Sequence, residues 1–545
     1  MSNRIRILAA VFAVLLLASS CTAETGESSM QEPEVKGEYA VTDVDFSEAK
    51  EPDSINRVFY EIFVGSFSDS NGDGSGDLRG IINRMDYLND GDPGSGKSLG
   101  VEGIWLTPIF KSYSYHKYNV NDYFTIDPNF GTMEDLKELI ALCHERGVKL
   151  ILDLVINHTG TGIEWFKRFS QAHKDLDDSD PYYEYYTYIG ADDPTPHGRT
   201  FQALTGTNIR YECNFSGDMP ELNYDNEAVR EEVLNVAKYY IDLGIDGFRF
   251  DAAKYIYYMD DARSVDFWQW YCSELRKLKN DIYLVGEVWD TDGVTDKYFP
   301  AMNCFNFSMS QASGQIAMTA KKAGIDKFTS YVQNYLNKVK AMREDATIIP
   351  FIANHDNDRA AGFLLEMTGE AKMGANLLLL SPGSPFIYYG EEIGMRGSRG
   401  GANTDANRRL AMLWGDDDKV KDPTGSNYGK SNQTSETVLT EIASEDSLYT
   451  HYKKLIMIRR ANPEIASGSY RPISLGETTF GGFASTLNGK TVVVLHNTGA
   501  SAKSYDLSKI GGISVSRLAA SIGNGSAALE GTTVTVDAQT SVVLR

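Results

Sequence analysis

The amino-acid sequence predicts an α/β protein: a (β/α)8 barrel with a small domain inserted after strand 3 and a C-terminal antiparallel β-sandwich. Three observations predict this fold. Short apolar runs alternate with amphipathic helical stretches from about residue 57 onward. One long connection after the third run breaks this rhythm, and from about residue 465 the pattern changes to apolar and polar residues in alternation.

Eight apolar runs have the length and composition of buried strands, and amphipathic stretches lie between them. The runs cover residues 58–63, 103–106, 148–156, 247–250, 282–285, 302–307, 348–352 and 385–389. The helical stretches cover residues 132–146, 227–243, 265–278 and 371–380. Because strands that are apolar on both faces are typical of parallel sheets covered by helices, these runs predict a parallel barrel. In such barrels the chemistry lies at the carboxyl ends of the strands.

The connection over residues 159–223 is rich in Tyr, Asp, Pro and Gly. Connections this long usually have a function, and we expect a small inserted domain there. The barrel domain then comprises residues 53–158 and 224–464. After a predicted helix over residues 448–461, alternating strands predict a β-sandwich over residues 465–545. These strands cover residues 481–485, 491–496, 513–518 and 533–536.

The chain is strongly acidic, with 52 Lys and Arg residues against 75 Asp and Glu residues and a formal net charge of −23 at pH 7. Nucleic acid and anionic membrane surfaces repel such a protein, so we expect no nucleic-acid partner. Aromatic residues make up 11% of the chain. They suit either core packing or stacking against sugar rings, and composition does not separate these uses.

The N-terminus has the pattern of a secretion signal. Arg4 and Arg6 precede an apolar run over residues 7–18, which is too short to span a bilayer as a folded helix. We therefore expect residues 1–20 to be a signal peptide.

Small residues before Cys21 resemble a bacterial lipoprotein cleavage box, which implies lipidation of Cys21. Ala18 and Ser20 depart from the residues usual in that box, so secretion with plain cleavage nearby is the alternative. Residues 21–52, mostly polar and acidic, predict a tether. The expected location is a bacterial membrane, at its outer surface or periplasmic face, with the lipid anchor as the contact.

The remaining cysteines show no metal or redox spacing, and we expect isolated thiols rather than a disulfide framework. They are Cys143, Cys213, Cys272 and Cys304.

The fourth predicted strand ends with an arginine two residues before an aspartate, Arg249 and Asp251. Residues i and i+2 of a strand share a face, so this guanidinium is expected beside the carboxylate, where it favours the ionised form. Taken alone, the pair is equally compatible with a structural ion pair.

Other predicted strand ends also carry acids or histidines. The third strand leads through Asp153 to His158, the fifth ends at Glu287, and the seventh ends at His355 and Asp356. One acidic residue at a strand end is often a helix N-cap. Three of them on separate strands of one barrel, with two histidines, indicate a catalytic site instead.

These residue types suit glycoside hydrolysis with retention, which needs an ionised carboxylate as nucleophile and a second carboxyl to protonate the leaving oxygen. Asp251, charged by Arg249, suits the first role. Glu287 lies among apolar neighbours that are expected to raise its pKa, which suits the second. Asp356 would stabilise the transition state, and the two histidines would donate to sugar hydroxyls.

With these motifs the sequence resembles the alpha-amylase family of retaining glycoside hydrolases over nearly all of residues 57–465. The motifs cover residues 153–158, 247–254, 286–289 and 354–356, with residues 219–223 as a fifth. The resemblance implies an enzyme acting on α-glucans, with Asp251 as nucleophile, Glu287 as acid/base and Asp356 as transition-state stabiliser. The inserted segment and the tail correspond to the family's domains B and C. The residues that would bind substrate are Tyr118, His158, Arg249, Lys254 and His355.

Several positions bear on specificity. Lys254 matches a position in the leaving-group half of the family's cleft, but Tyr255 replaces the usual histidine. Asn119 stands where many exo-acting relatives carry an aspartate, and Ala252 resembles members that cleave α-1,4 bonds. We therefore expect hydrolysis of α-1,4 bonds in starch or maltodextrin, with a lean toward endo action.

Other activities remain open at this point. An exo-acting α-glucosidase, a neopullulanase-like hydrolase and a transglycosylase on short α-glucans share the same catalytic residues. A protein of another class, a non-catalytic glucan-binding surface protein, would not need an acid/base pair.

Residues 69–77 place an oxygen-bearing side chain at every second position, with glycines between them. Such ligands in a tight loop are typical of calcium binding, although Gly80 at the twelfth position excludes an EF-hand. A plain polar turn is the alternative. The family's other calcium site, between the barrel and domain B, uses a residue like Asn157 and an aspartate where this chain has Asn223, so the sequence leaves that second site open. The resemblance implies that the ligands are Asp69, Asn71, Asp73 and Asp77, with the backbone carbonyl of Ser75.

Overall fold

The computed structural model describes residues 37–321, 324–401 and 403–545. The predicted signal peptide, the predicted lipidation at Cys21 and the first part of the predicted tether lie outside the described residues. Within the described part of the chain, the helices are each too short or too polar to cross a membrane.

When the strands are numbered in chain order after the eight predicted runs, seven parallel strands form a curled sheet in the order 6-5-4-3-2-1-8, which confirms the predicted fold. Between strands 6 and 8 lies the short segment 349–351. It pairs with its neighbours only through the parallel bridges Phe305–Ile349 and Phe351–Phe386, which close the barrel. The seventh predicted strand is therefore an extended segment without a regular ladder. The regular strands are Phe59–Ile62, Gly103–Leu106, Lys149–Leu154, Gly247–Phe250, Tyr283–Gly286, Asn303–Cys304 and Phe386–Tyr388.

Helices surround this sheet, and capping residues mark where they begin and end. Thr132 and Asp135 form a capping box at the start of one helix, and Gly244, with a φ of 107°, ends another. The long helices are Met133–Glu145, Glu227–Leu243, Asp261–Leu278, Ile325–Met342, Glu370–Leu379 and Leu448–Ala461.

Aromatic and aliphatic side chains fill the inside of the barrel. Phe59, Trp105, Tyr283 and Phe386 belong to this cluster and are almost completely buried. Gly103 makes room for it, because a Cβ there would lie 2.4 Å from the Phe59 ring. A filled barrel offers no channel, so a binding site has to form at the strand ends.

The segment between strands 3 and 4 folds as a helix and a small antiparallel sheet. The helix is Glu164–Asp175, and the strands are Tyr188–Gly190, Phe201–Ala203 and Ile209–Glu212. An antiparallel bridge between His158 and Glu221 ties the end of this segment back to the barrel rim.

The C-terminal segment is a β-sandwich, as predicted, with sheets of five and three strands. Its core contains Val493 and Val542 from the larger sheet and Val534 from the smaller one. The strand predicted over residues 513–518 is wrong, since the structure has Leu518–Gly523 there. The other strands are Ser469–Ser474, Phe480–Leu487, Lys490–Asn497, Lys503–Asp506, Ala527–Glu530, Thr533–Val536 and Thr540–Leu544.

Residues 37–52, the described half of the predicted tether, contact the barrel domain, which differs from the expected tether. The backbone amides of Tyr39 and Val41 donate to the carbonyls of Ile442 and Gly96, and Val41 is buried. These bonds hold the chain to the barrel from residue 39 onward.

The four described cysteines are unpaired and buried, as expected. Burial raises the pKa of the Cys213 thiol to about 11 and those of the other three still further, so these are unreactive core residues.

Candidate active site

Arg249, near the end of the fourth barrel strand, contacts three carboxyl groups, one directly after its own strand and two at the ends of neighbouring strands. One guanidinium nitrogen donates to Asp251 Oδ1 at 2.6 Å and to both Asp153 oxygens, at 2.9 and 3.0 Å. Its other terminal nitrogen lies 3.0 Å from Glu287 Oε2. Since Arg249 is 1% exposed, these contacts are shielded from water. The predicted contact between Arg249 and Asp251 exists, and it is part of a larger cluster.

The chain makes a sharp turn directly after Asp251. Ala252 has a φ of 47°, in the left-handed region that non-glycine residues seldom occupy. This conformation directs the Ala252 amide toward Glu287 Oε2, to which it donates at 3.1 Å. The turn therefore holds the Glu287 carboxyl beside Asp251.

His355 and Asp356, which follow the seventh strand segment, are held in place by contacts on two sides. His355 Nδ1 lies 2.5 Å from Glu61 Oε1, and its Nε2 lies 2.6 Å from the Tyr118 hydroxyl and 3.1 Å from Asp356 Oδ2. Arg409 donates to Asp356 Oδ1 at 2.6 Å. Asp356 is thus oriented by a histidine on one oxygen and an arginine on the other.

The pKa shifts of His355 and Asp356 follow from these contacts. Burial alone would lower the pKa of His355, but the carboxylates of Asp356 and Glu61 outweigh it and raise the pKa to about 10. Burial alone would raise the pKa of Asp356, but His355 and Arg409 outweigh it and hold the pKa well below its usual range. At neutral pH the pair is an imidazolium beside a carboxylate.

The pKa of Glu287 is shifted in the expected direction, upward. Burial raises its pKa, Arg249 opposes this, and the charges of Asp251 and Asp356 add to it. Burial also raises the pKa of Asp251, against the opposing charge of Arg249. This upward shift in the pKa of Asp251 is opposite to our expectation. The expectation considered the charge of the guanidinium but not the loss of water around the carboxyl group.

Asp251, Glu287 and Asp356 line a cavity of about 720 Å³. That volume lies within the range of roughly 300–1,000 Å³ that is typical of small-molecule sites. The predicted substrate-binding residues Arg249 and His355 are almost completely buried and are not part of its lining.

On the side of Glu287 the wall is aromatic, with Phe215, Tyr255 and Trp289. Lys254 lies on this wall, where its ammonium donates to the Trp289 carbonyl at 2.9 Å.

The predicted sugar-binding residues His158 and Tyr118 also line the cavity. His158 Nδ1 lies 3.2 Å from the Asn157 amide nitrogen, and its buried Nε2 has no hydrogen-bond partner among the described residues. Burial lowers the pKa of His158 to about 4, so the ring is neutral and Nε2 is free to donate to a ligand. The Tyr118 hydroxyl donates to Asp153 at 3.0 Å, and its ring stacks on His355 at 5.5 Å.

Tyr255 and Asn119, the two departures from the resemblance, are placed differently. The Tyr255 ring packs 4.6 Å from Phe215 and stacks 4.5 Å from Tyr258, so it completes the aromatic wall. Asn119 does not line the cavity. It is buried, and its amide donates to Asp218 of the inserted segment at 3.0 Å.

The predicted calcium loop follows the first barrel strand. Asp69, Asn71 and Asp73 each accept from the amide two residues ahead, which gathers their oxygens in one turn. Asp77 caps the helix Leu78–Asn83 with Oδ1, which accepts from the Gly80 amide, while its Oδ2 accepts from the amide and hydroxyl of Ser70 within the loop. The hard oxygens of the first three suit calcium. Within the described ranges, however, no group of three or more His, Cys, Asp or Glu side chains is arranged to hold a metal.

The sequence alone did not identify Glu61 and Arg409 as site residues. Glu61 has a signal, since it is the one charged residue in the apolar run of the first strand. Arg409 lies in a loop after the last strand, and no local pattern distinguishes it. Asp153 was noted as part of a motif, but its contact with Arg249 was not predicted.

A (β/α)8 barrel with carboxyl groups at separate strand ends, where Asp251 and Glu287 contact one buried arginine and line a cavity of this size, is typical of the class of retaining glycoside hydrolases. The family profile described as alpha amylase, catalytic domain, matches residues 61–468. The chain therefore belongs to the alpha-amylase family, whose members are retaining enzymes that act on α-glucans.

Similar proteins agree with this assignment. The chain is 36% identical to Alpha-amylase 3 of Dictyoglomus thermophilum over 450 residues, which cover 82% of this chain and 85% of that protein. It is 29% identical to a 4-alpha-glucanotransferase of Thermotoga neapolitana, over 80% of this chain and 95% of that one. The solved structure of Eubacterium rectale Amy13B superposes with a TM-score of 0.83 at 33% identity, covering 91% of this chain and 97% of that one.

Proposed function

We propose that the protein hydrolyses α-1,4-glucosidic bonds of starch or maltodextrin, with retention through a covalent glycosyl-enzyme intermediate. One observation carries the proposal: Asp251 and Glu287 contact neighbouring nitrogens of the single Arg249 guanidinium. Retaining enzymes need their two carboxyl groups only about 5–5.5 Å apart, closer than inverting enzymes do. A shared guanidinium keeps the two groups at short range.

The mechanism assigns one task to each group. Asp251 attacks the anomeric carbon while Glu287 gives its proton to the leaving glucosidic oxygen, so the C–O bond to the leaving sugar breaks as the bond to Asp251 forms. Glu287 then takes a proton from water, whose oxygen displaces Asp251 from the sugar. Asp356, kept ionised by His355 and Arg409, stabilises the positive charge that develops on the ring.

The neutral His158 supplies a donor for ring hydroxyls around the cleaved sugar. His355 is completely buried and acts through Asp356, whose carboxylate it keeps ionised. Tyr118 offers its ring as a wall of the same part of the cavity. Lys254 and Tyr255 would contact the leaving part of the chain, since both lie on the side of Glu287.

A transglycosylase is the second candidate, and the aromatic wall favours it. Phe215 and Trp289 are 45% and 43% exposed although they border the site, so a sugar stacked on them would be placed to accept the glycosyl unit in place of water. The similarity to a glucanotransferase agrees with this option.

The test is Glu287→Gln with maltoheptaose as substrate. Losing the proton donor should lower kcat by roughly 10²- to 10⁴-fold without changing the melting temperature. Glu145→Gln, an exposed glutamate on a barrel helix, is the matched control and should behave as wild type. Unchanged hydrolysis by Glu287→Gln would exclude the mechanism, and a wild-type protein that binds maltoheptaose without cleaving it would be a glucan-binding protein. Mid-sized oligosaccharides among the first products of the wild-type enzyme would indicate endo action, glucose alone exo action, and products longer than the substrate transfer.

We also propose that calcium binds at residues 69–77, through Asp69, Asn71, Asp73 and Asp77 with the Ser75 carbonyl. Its effect would be to stiffen the barrel rim, and no step of the reaction involves it. Support comes from the three oxygens gathered in one turn.

We further propose that residues 1–20 are removed as a signal peptide and that a lipid on Cys21 holds the protein at the bacterial cell membrane. The pattern of residues 4–21 supports this. Radiolabelled palmitate should label the wild-type protein and not Cys21→Ser, and that variant should appear in the soluble fraction. Equal behaviour of the two proteins would indicate plain secretion.

A further inference from the structure

Asn119, on the barrel, contacts the tip of the inserted segment, residues 215–219, through a hydrogen bond of 3.0 Å from its amide to Asp218 Oδ2. We propose that this contact is a latch, in which Asn119 is a positioning residue that holds residues 215–219 in place on the leaving-group side of the cavity. The inference rests on the proposed function and extends it, because the latch sets how well the leaving sugars are bound.

The barrel orients the side chain of Asn119. Asn119 is 1% exposed, and its Oδ1 accepts from the hydroxyls of Ser112, at 2.6 Å, and Ser114, at 2.5 Å. The Ser114 hydroxyl accepts from the Lys117 amide at 3.1 Å, which leaves its own proton for Asn119. Because two donors already bind the oxygen, the NH2 group is the end of Asn119 that faces Asp218.

The carboxylate of Asp218 accepts hydrogen bonds from both sides of the contact. Oδ2 accepts from Asn119 and, at 2.6 Å, from the Tyr113 hydroxyl, and Oδ1 accepts from the Ser216 hydroxyl. Burial alone would raise the pKa of Asp218, but these hydrogen bonds outweigh it and lower the pKa. At neutral pH an ionised carboxylate therefore lies beside a neutral amide.

The tip of the inserted segment forms part of the cavity wall. Within the described ranges, the two bonds from the barrel to Asp218 are the hydrogen bonds that join this tip to the barrel. The Phe215 ring packs 4.6 Å from Tyr255 but is 45% exposed, so packing alone holds it weakly. The position of the wall therefore depends on the latch. The residues of the tip that line the cavity are Phe215, Ser216 and Met219.

The contact requires that residue 119 is neutral. In Asn119→Asp a second carboxylate would lie at the 3.0 Å that now separates the amide from Asp218, at a position shielded from water, where like charges repel. Ser112 and Ser114 would bind one of its oxygens and keep the other directed at Asp218. The substitution should release the tip without removing any group from the cavity lining, since Asn119 is not part of it.

The experiment compares two leaving groups. Maltoheptaose leaves a chain of sugars on the side of the aromatic wall, whereas the fluoride of α-maltosyl fluoride is too small to contact that wall. Asn119→Asp should lower kcat/KM for maltoheptaose by about tenfold, mainly through KM, as expected when about 1.4 kcal/mol of binding is lost. The same variant should change kcat/KM for α-maltosyl fluoride by less than about twofold, because the groups around the cleaved sugar stay in place.

Exchange of the two side chains tests the charge directly. In the double variant Asn119→Asp/Asp218→Asn a carboxylate again faces an amide, so kcat/KM for maltoheptaose should return to within about twofold of wild type. A substitution that only disturbed folding would not be rescued in this way. Melting temperatures equal to wild type show that each variant is folded.

Asn208→Asp is the matched control, because Asn208 is exposed on the same inserted segment and does not line the cavity. It should behave as wild type with both substrates. The latch is wrong if Asn119→Asp keeps the wild-type kcat/KM for maltoheptaose, if it loses as much on α-maltosyl fluoride, or if the exchange does not restore activity. In each of these cases the proposed function still stands. If wild type cleaves neither substrate, the proposed function itself fails.

Discussion

Glu61, in the first barrel strand, contacts His355, after the seventh, with Oε1 and Nδ1 2.5 Å apart. Both side chains are buried, so their electrostatic attraction is weakly screened. The contact leaves Nε2 of His355 facing Tyr118 and Asp356. Together with Asp356, Glu61 thereby keeps His355 charged, although Glu61 itself does not line the cavity.

This contact predicts a change in pH dependence for Glu61→Gln. The folded-state pKa of His355, about 10, lies above the usual value of 6.5. The imidazolium therefore stabilises the fold fully below about pH 6.5, and this contribution is lost as the pH rises through about 10. Without the Glu61 charge the pKa of His355 should fall, so the alkaline limb of the kcat/KM profile should move to lower pH.

The measurement is kcat/KM for maltoheptaose between pH 5 and 10, together with urea unfolding at the same pH values. Glu344→Gln, an exposed glutamate, is the control and should keep the wild-type profile. An alkaline limb at the same pH in Glu61→Gln and wild type would show that Glu61 does not set the charge of His355.

Arg249→Lys should lower kcat/KM for maltoheptaose by about 100-fold, because a lysine ammonium is a point charge and does not span Asp251 and Glu287 as a guanidinium does. Arg249→Ala should also destabilise the fold by about 3–5 kcal/mol in urea unfolding, since it leaves buried carboxyl groups without a partner. Arg79→Ala, which breaks two ion pairs at the surface, with Asp135 and Glu138, should cost no more than about 1–2 kcal/mol. An Arg249→Lys enzyme of wild-type activity would contradict the role of the shared guanidinium.

Tyr255→Ala should raise KM for maltoheptaose by about fivefold, because the ring that completes the aromatic wall beside Glu287 contributes on the order of 1 kcal/mol when it stacks. Tyr255→Phe keeps the ring and should behave as wild type. The same KM for all three proteins would mean that the leaving sugars do not contact this wall.

Removal of calcium with EDTA should lower Tm by several degrees, since a cation that binds only the folded state stabilises it. Asp73→Asn should melt at the lower temperature and show no further drop with EDTA. Asp92→Asn, in another exposed loop, should keep the response of wild type. Melting that EDTA leaves unchanged would remove the calcium proposal.

Local patterns were sufficient for much of the fold. The helices Glu227–Leu243 and Leu448–Ala461 and the strands Gly103–Leu106 and Gly247–Phe250 have the predicted bounds. The segment 349–351 was less predictable, because its apolar pattern does not reveal that it pairs through only two bridges.

The burial of the site residues was harder to predict from the sequence than the contacts between them. The Arg249–Asp251 pair follows from two-residue spacing on one strand, and the structure confirms that contact. The rise in the pKa of Asp251 depends instead on how much water the surrounding chain excludes. The contacts of the predicted tether at Tyr39 and Val41 likewise depend on a distant partner, Ile442.

The alternating barrel, the aspartate two residues after Arg249 and the acids at other strand ends could be predicted from the chain alone, because each is a matter of short-range periodicity. Three further features required the folded structure: one guanidinium serves Asp251 and Glu287 together, Glu61 contacts His355, and Asn119 contacts Asp218 of the inserted segment. They depend on closure of the barrel. It brings the ends of strands that are far apart in sequence to one rim, where distance and exclusion of water, rather than residue type, set charge and binding.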